Sequence, residues 1–147
     1  MDNGKISWYD LDLPEAIGIR RQFFCETDRY KMIANSAFDY SWIDMISRSD
    51  RPVLIIAEGV FMYFTEQEVI DLINMMIASF KGAEVLVEII TPTMVKRNKL
   101  HDSLSKMDAK FSWGVKGGKE MERLALIPAF KNRFNGRIVH LAFKGQE

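Results

Sequence analysis

The stretch "PVLIIAEGVFMYFTEQEV", residues 52–69, decides the fold class. It begins with a nearly unbroken aliphatic run to Ala57, followed by one carboxylate, Glu58, and then Gly59. A continuous rather than alternating apolar run suits a strand covered on both faces in a parallel sheet. Thr65 with Glu68 three residues later forms a capping box. It opens a helix in "EQEVIDLINMMIASF" whose Val69, Ile70, Ile73, Met76, Ile77 and Phe80 share one face. "KGA" ends the helix, and "EVLVEII" (84–90) reads as another buried strand. The strand–helix–strand order of residues 53–90 predicts an α/β layered domain with a mostly parallel sheet.

The flanking segments extend that alternation. Upstream, "ISWYDLDL" (6–13) is a short strand closed by Pro14, which suits the first turn of a helix in "PEAIGIRRQFF". "YKMIANSAF" (30–38) is a weaker strand, and "SWIDMISR" has room for two helical turns. Downstream, "TPTMVKRNKLHDSLSKM" starts a helix after Pro92, "GVKGGKEMERL" is a glycine-hinged loop entering a helix, and "GRIVHLAF" (136–143) is a last strand. No repeat, low-complexity tract or linker interrupts the chain. Its 147 residues, 48% of them hydrophobic, suit one core, so a single domain over 1–147 is expected.

Charge and cysteine content narrow the function classes. Twenty basic residues balance twenty acidic ones, which gives no electrostatic reason to expect nucleic acid or an anionic membrane as partner. The sequence opens with no cationic, apolar leader, and no apolar run approaches the roughly 18 residues of a membrane span. A single cysteine, Cys25, excludes an internal disulfide and any multi-cysteine metal site. A reduced, cytoplasmic setting without a structural metal is expected, with Cys25 an inert buried thiol. His101 lies on a charged helix and His140 inside a strand-like run; periodicity explains both, and nothing pairs either with a carboxylate. Tyr40, Tyr63 and Trp113 are candidate pocket aromatics, although such spacing also serves a core.

Carboxylates recur where a parallel sheet binds ligands, beyond the carboxyl ends of its strands. Asp12 ends the first strand, Asp39 follows the second, and Glu58 ends the third. Each has a plainer role open to it. Asp12 could be solvated before a proline turn, Asp39 could cap the helix at Ser41, and Glu58 could be a surface acid. Taken together they favour a ligand, because an acid after a strand in a βαβ unit can accept both hydroxyl protons of a ribose.

"WYDLDLPEAIGIRRQFF", "SAFDYSWID" and "RPVLIIAEGVFMYFTEQEV" resemble, in order and spacing, segments of the leucine carboxyl methyltransferase-like family of S-adenosylmethionine-dependent O-methyltransferases. The resemblance covers most of residues 6–92. It implies the Rossmann-like class I methyltransferase fold, S-adenosylmethionine as cofactor and a small-molecule acceptor. It also implies site roles. Asp12 would hold the cofactor ribose hydroxyls, Asp39 with the backbone near Tyr40 would contact the adenine amine, and Glu58 would sit under the methionine or ribose portion. No catalytic residue is implied.

The chain departs from that pattern in two places. The family has an earlier strand and a glycine-rich loop that cradles the cofactor's carboxylate end, and neither precedes "WYDLDLPE" here. An additional strand before the "IPAFKNRFNGRIVHL"-like ending is also absent. A truncated, partial methyltransferase domain is therefore expected, with cofactor binding weakened or lost. The missing strand would lie between those ending at Asp12 and Glu58, leaving two apolar edges for a homo-oligomer to cover. Two functions follow from different classes. One is a small-molecule O-methyltransferase acting on a carboxylate or hydroxyl oxygen; the other is an inactive methyltransferase remnant serving as a binding or interaction module.

Overall fold

In the computed structural model of the protein, residues 4–46, 51–96, 110–125 and 138–143 are described. They form two compact units, residues 1–51 and 52–147.

The first unit is β1 (Trp8–Asp12), α1 (Pro14–Arg20), β2 (Tyr30–Ala34) and the single turn α2 (Trp42–Met45). β1 and β2 pair in parallel, with Asp12 opposite Ala34 at their carboxyl ends. Pro14 opens α1, where its fixed φ and missing N–H are harmless. Ile17, Met32, Ile33 and Trp42 are buried. Asp10 on β1 is the polar fastening of this unit. Its carboxylate accepts from the Trp8 indole at 2.7 Å and the Tyr30 hydroxyl at 2.6 Å, and pairs with Arg20 of α1 at 3.0 Å. α2 is one turn rather than two; the C-terminal end of the expected segment lies outside the described residues.

The second unit begins with β3 (Leu54–Ala57). A 3₁₀ turn (Phe61–Tyr63), α3 (Glu66–Ser79), β4 (Glu84–Glu88), α4 (Pro92–Lys96), α5 (Gly118–Ala125) and β5 (Ile138–Ala142) follow. The capping box is formed as expected. The Thr65 hydroxyl accepts the Glu68 N–H at 3.3 Å, and the Glu68 carboxylate accepts the Thr65 N–H at 2.7 Å. The buried stripe of α3 is Val69, Leu72, Ile73 and Met76, with Phe80 just beyond; Leu72 extends the expected face, whereas Ile70 and Ile77 are only half-buried. β3 pairs in parallel with β4, and β5 joins β4 antiparallel, giving the order β3-β4-β5. One face of this sheet carries Val85, Val87, Val139 and Leu141, all buried.

The other face differs from expectation. Leu54 and Ile56 of β3 are 55% and 49% exposed, and Ile138 of β5 is 50% exposed, so the apolar run of β3 is not covered on both faces. The outer edge of β3 is uncovered as well. Among the described residues β3 has one sheet neighbour, β4, and its far edge is open. The Glu84 N–H donates to Val53 O at 2.9 Å, and the ladder's alternation leaves the backbone groups of Leu54 and Ile56 on that open edge.

Candidate functional site

In the first unit the carboxyl ends of β1 and β2 converge on Asn35. Its backbone N–H donates to Asp12 O at 3.0 Å, continuing the ladder one residue past the strands. Its side-chain amide donates to Asp39 O at 3.3 Å and Ser41 Oγ at 3.1 Å. Asp12 and the Asp39–Tyr40 turn are thus brought to one end of one sheet. The Asp12 side chain is exposed, and its Oδ1 accepts the Leu13 N–H at 2.8 Å. That bond fixes the carboxylate at the helix entry and leaves acceptor capacity facing solvent.

Asp39 Oδ1 accepts the Ser41 N–H at 3.2 Å. Hydrogen bonding from the Ser41 hydroxyl, and then from its backbone, holds this carboxyl below its ordinary value, so it is anionic at neutral pH. Asp39 therefore has the local role weighed for it, receiving the N–H at the start of α2, while its exposure leaves it accessible. Tyr40 is exposed and its carbonyl accepts the Ile43 N–H at 3.1 Å. Both carboxylates are acceptors only, able to receive hydrogen bonds from hydroxyl or amine donors.

In the second unit, Glu58 follows the last residue of β3 and is exposed. The turn it starts is fixed by Gly59, at φ +66°, whose N–H donates to the Glu88 carboxylate at the end of β4, 3.0 Å away. Glu88 escaped the sequence reading because the strand was expected to run through 84–90, which put Glu88 inside it, whereas β4 ends at Glu88. Among the described residues no cluster of His, Cys, Asp and Glu could hold a metal.

The remaining candidates are placed differently from expectation. His140 does meet a carboxylate: Nε2 lies 2.7 Å from Glu84 Oε2, because antiparallel pairing with β4 puts His140 opposite Leu86, two residues from Glu84. The residues are 56 apart in sequence, so only the sheet register could reveal the pair. Cys25 is exposed rather than buried, in a segment past α1 that is exposed from Arg21 to Asp28. Trp113 is buried, Tyr63 is exposed with its ring tilted 48° to that of Phe111 at a centroid distance of 5.5 Å, and His101 lies outside the described residues.

No protein-family model matches the sequence. Along 80% of its length the chain is 28% identical to the tetracenomycin polyketide synthesis O-methyltransferase TcmP of Streptomyces glaucescens, covering 43% of that protein. Along 90% it is 27% identical to the S-adenosyl-L-methionine-dependent methyltransferase dpfgK of Gibberella zeae, covering 48% of it. The chain thus spans a little under half the length of the curated relatives it matches. Human N-acetylserotonin methyltransferase superposes on 95% of the chain with a TM-score of 0.62 at 16% identity, over 41% of its own length. An O-methyltransferase family 2 protein from Planctomyces limnophilus gives a TM-score of 0.61 at 12% identity, over 95% of the chain and 44% of its own. The fold is therefore α/β, a partial Rossmann-like sheet of the class I methyltransferase kind, as expected.

Proposed function

We propose that the chain belongs to an S-adenosylmethionine-dependent O-methyltransferase of small molecules, of the leucine carboxyl methyltransferase-like family. What carries this reading is its likeness to two curated methyltransferases along 80% and 90% of the chain. In the first unit, Asp12 accepts the ribose hydroxyls, and Asp39 with the Tyr40 backbone meets the adenine amine. Both are exposed acids on one sheet end, tied to the same Asn35. In the second unit, Glu58 is assigned by resemblance to the methionine or ribose portion.

The bound cofactor supplies a methyl group on a sulfonium sulfur. Transfer forms a carbon–oxygen bond and breaks a carbon–sulfur bond, so the protein's task is alignment and desolvation. A carboxylate acceptor loses no proton, and a hydroxyl acceptor loses one. The same reading includes a cytoplasmic setting, a single partial methyltransferase domain over 1–147, and a homo-oligomer that covers the exposed edge of β3. No described helix is long and apolar enough to cross a membrane.

Calorimetric titration with S-adenosylhomocysteine tests the proposal on the wild-type chain and on Asp12→Ala and Glu58→Ala, each taken separately. Asp12→Ala is expected to weaken binding on the order of tenfold, the loss of a charge-assisted hydrogen bond, with little change in melting temperature. Unchanged affinity in that variant removes Asp12 from the site. No heat from folded wild-type protein overturns the cofactor assignment.

A further inference from the structure

β3 and β4 run parallel with Ala57 opposite Val87, so Glu58 and Glu88 are the next residues on neighbouring chains at the carboxyl end of the sheet. Glu58 is exposed. Glu88 is half-buried, and its Oε2 accepts the Gly59 N–H at 3.0 Å.

The segment around that bond is held at both ends and loose between them. Upstream, β3 is fixed by its ladder to β4. Downstream, Phe61 and Met62 are buried, and Met62 O accepts the Ser112 and Trp113 N–H groups at 2.8 and 3.3 Å. Glu58, Gly59 and Val60 lie exposed between these anchors, and among the described residues Glu88 is the one side chain that bonds to them. Gly59 stands at φ +66°, and a Cβ there would meet nothing within 4 Å, so packing does not fix this joint. A glycine adopts either sign of φ about equally readily. The bond to Glu88 therefore selects one orientation of the Glu58–Gly59 peptide, and with it the backbone on which the Glu58 carboxylate stands.

We propose that Glu88 is a positioning residue of the cofactor site, acting through the Gly59 N–H to preset the Glu58 carboxylate. The inference rests on the methyltransferase reading above, which assigns Glu58 to the methionine or ribose portion of the cofactor. Glu88 itself touches no ligand in this scheme. Ordering the turn during folding spares that cost when the cofactor binds, so loss of the tie is felt as weaker binding transmitted through Glu58.

The test is calorimetric titration with S-adenosylhomocysteine of the wild-type chain, Glu58→Ala, Glu88→Ala, Glu88→Gln and the Glu58→Ala/Glu88→Ala double variant, each shown by circular dichroism to be folded at the titration temperature. Glu88→Ala is expected to weaken binding roughly three- to tenfold, the worth of one hydrogen bond. Glu88→Gln should recover most of that loss, because its amide oxygen still accepts. The double variant should bind no more weakly than Glu58→Ala alone, since the effect of Glu88 passes through Glu58. Gly59 amide exchange should accelerate in Glu88→Ala and not in Glu58→Ala. Should Glu88→Ala not fold, Gly59→Ala disturbs the same peptide and carries the same comparison. Unchanged affinity in either single alanine variant, or losses that add in the double variant, overturns the proposal and leaves the cofactor reading standing. No binding by folded wild-type protein overturns both.

Discussion

The Gly59 backbone N–H donates to the Glu88 carboxylate at 3.0 Å, so the turn after β3 is tied to the last residue of the neighbouring strand. Gly59 has φ +66°, and a Cβ there would meet nothing within 4 Å. The cost of a side chain at this position is therefore conformational and not steric. Gly59→Ala should destabilise by about 1 kcal/mol. Glu88→Ala should cost about 1.5–3 kcal/mol, the value of a hydrogen bond to a charged group, and Glu88→Gln should recover part of it because the amide oxygen still accepts. Urea denaturation of the three variants checks this; an equal loss in Glu88→Gln and Glu88→Ala would mean that the bond contributes nothing.

Gly114 is the opposite case, limited by space. A Cβ would press on Ile90 O at 2.6 Å, Val95 Cγ2 at 2.9 Å and the Thr91 carbonyl carbon at 3.1 Å, and the first and last of these atoms are backbone. Gly114→Ala should cost about 1–3 kcal/mol as overpacking. Residues 112–115, whose N–H groups bond Met62 O and Ile90 O, must lift, so Val115 amide exchange should accelerate. Wild-type stability with an unchanged Val115 exchange rate would show that residues 112–115 are loosely held.

Asp10 gathers the Trp8 indole, the Tyr30 hydroxyl and the Arg20 guanidinium. Asp10→Ala should destabilise by about 1.5–3 kcal/mol, because it strands a half-buried hydroxyl and removes the tie between β1 and α1. Burial, and then the bond to Asp10, raises the Tyr30 phenol above its ordinary 10.0. A raised value means that the native state holds this proton more tightly. The associated stability is complete below pH 10 and lost as pH climbs through the folded value. Alkaline unfolding should thus be shallower in Tyr30→Phe, and identical profiles would exclude Tyr30 as its source.

The capping box gives α3 an acid limit. The Thr65 backbone N–H, followed by its hydroxyl, holds the Glu68 carboxyl below its ordinary 4.5. A depressed value contributes stability that is present above pH 4.5 and lost as pH falls through the folded value. Melting temperature should fall more steeply over that acid range in wild type than in Glu68→Gln, which keeps an acceptor without a titrating proton. At neutral pH, Thr65→Ala should cost about 1 kcal/mol as a lost N-cap.

Leu54 and Ile56 present exposed side chains on a strand whose outer edge is open among the described residues. An apolar edge of this kind pairs with another chain unless it is guarded by charge. Light scattering on the wild-type chain should detect association, and Ile56→Lys should shift it toward monomer at little cost in stability. A wild-type monomer at high concentration would rule out the proposed oligomer.

The elements on which the fold class rests are legible in the residues alone. The apolar run of β3, the Thr65–Glu68 box and the stripe of α3 are local patterns, each read within a few residues, because helix and strand periods are properties of the backbone. The sequence also placed Asp12 at the end of the first strand, and Asp39 and Glu58 after the second and third. What those residues are joined to is set by the folded chain. Asn35 linking Asp12 to Asp39, Glu88 holding Gly59, His140 meeting Glu84, and the Val115 N–H reaching Ile90 O all depend on strand register or loop closure between distant residues. Burial followed the same division. Leu54 and Ile56 read as covered because hydrophobicity is local, yet they lie exposed because coverage requires a neighbouring layer, and which layers form is decided by the assembled sheet.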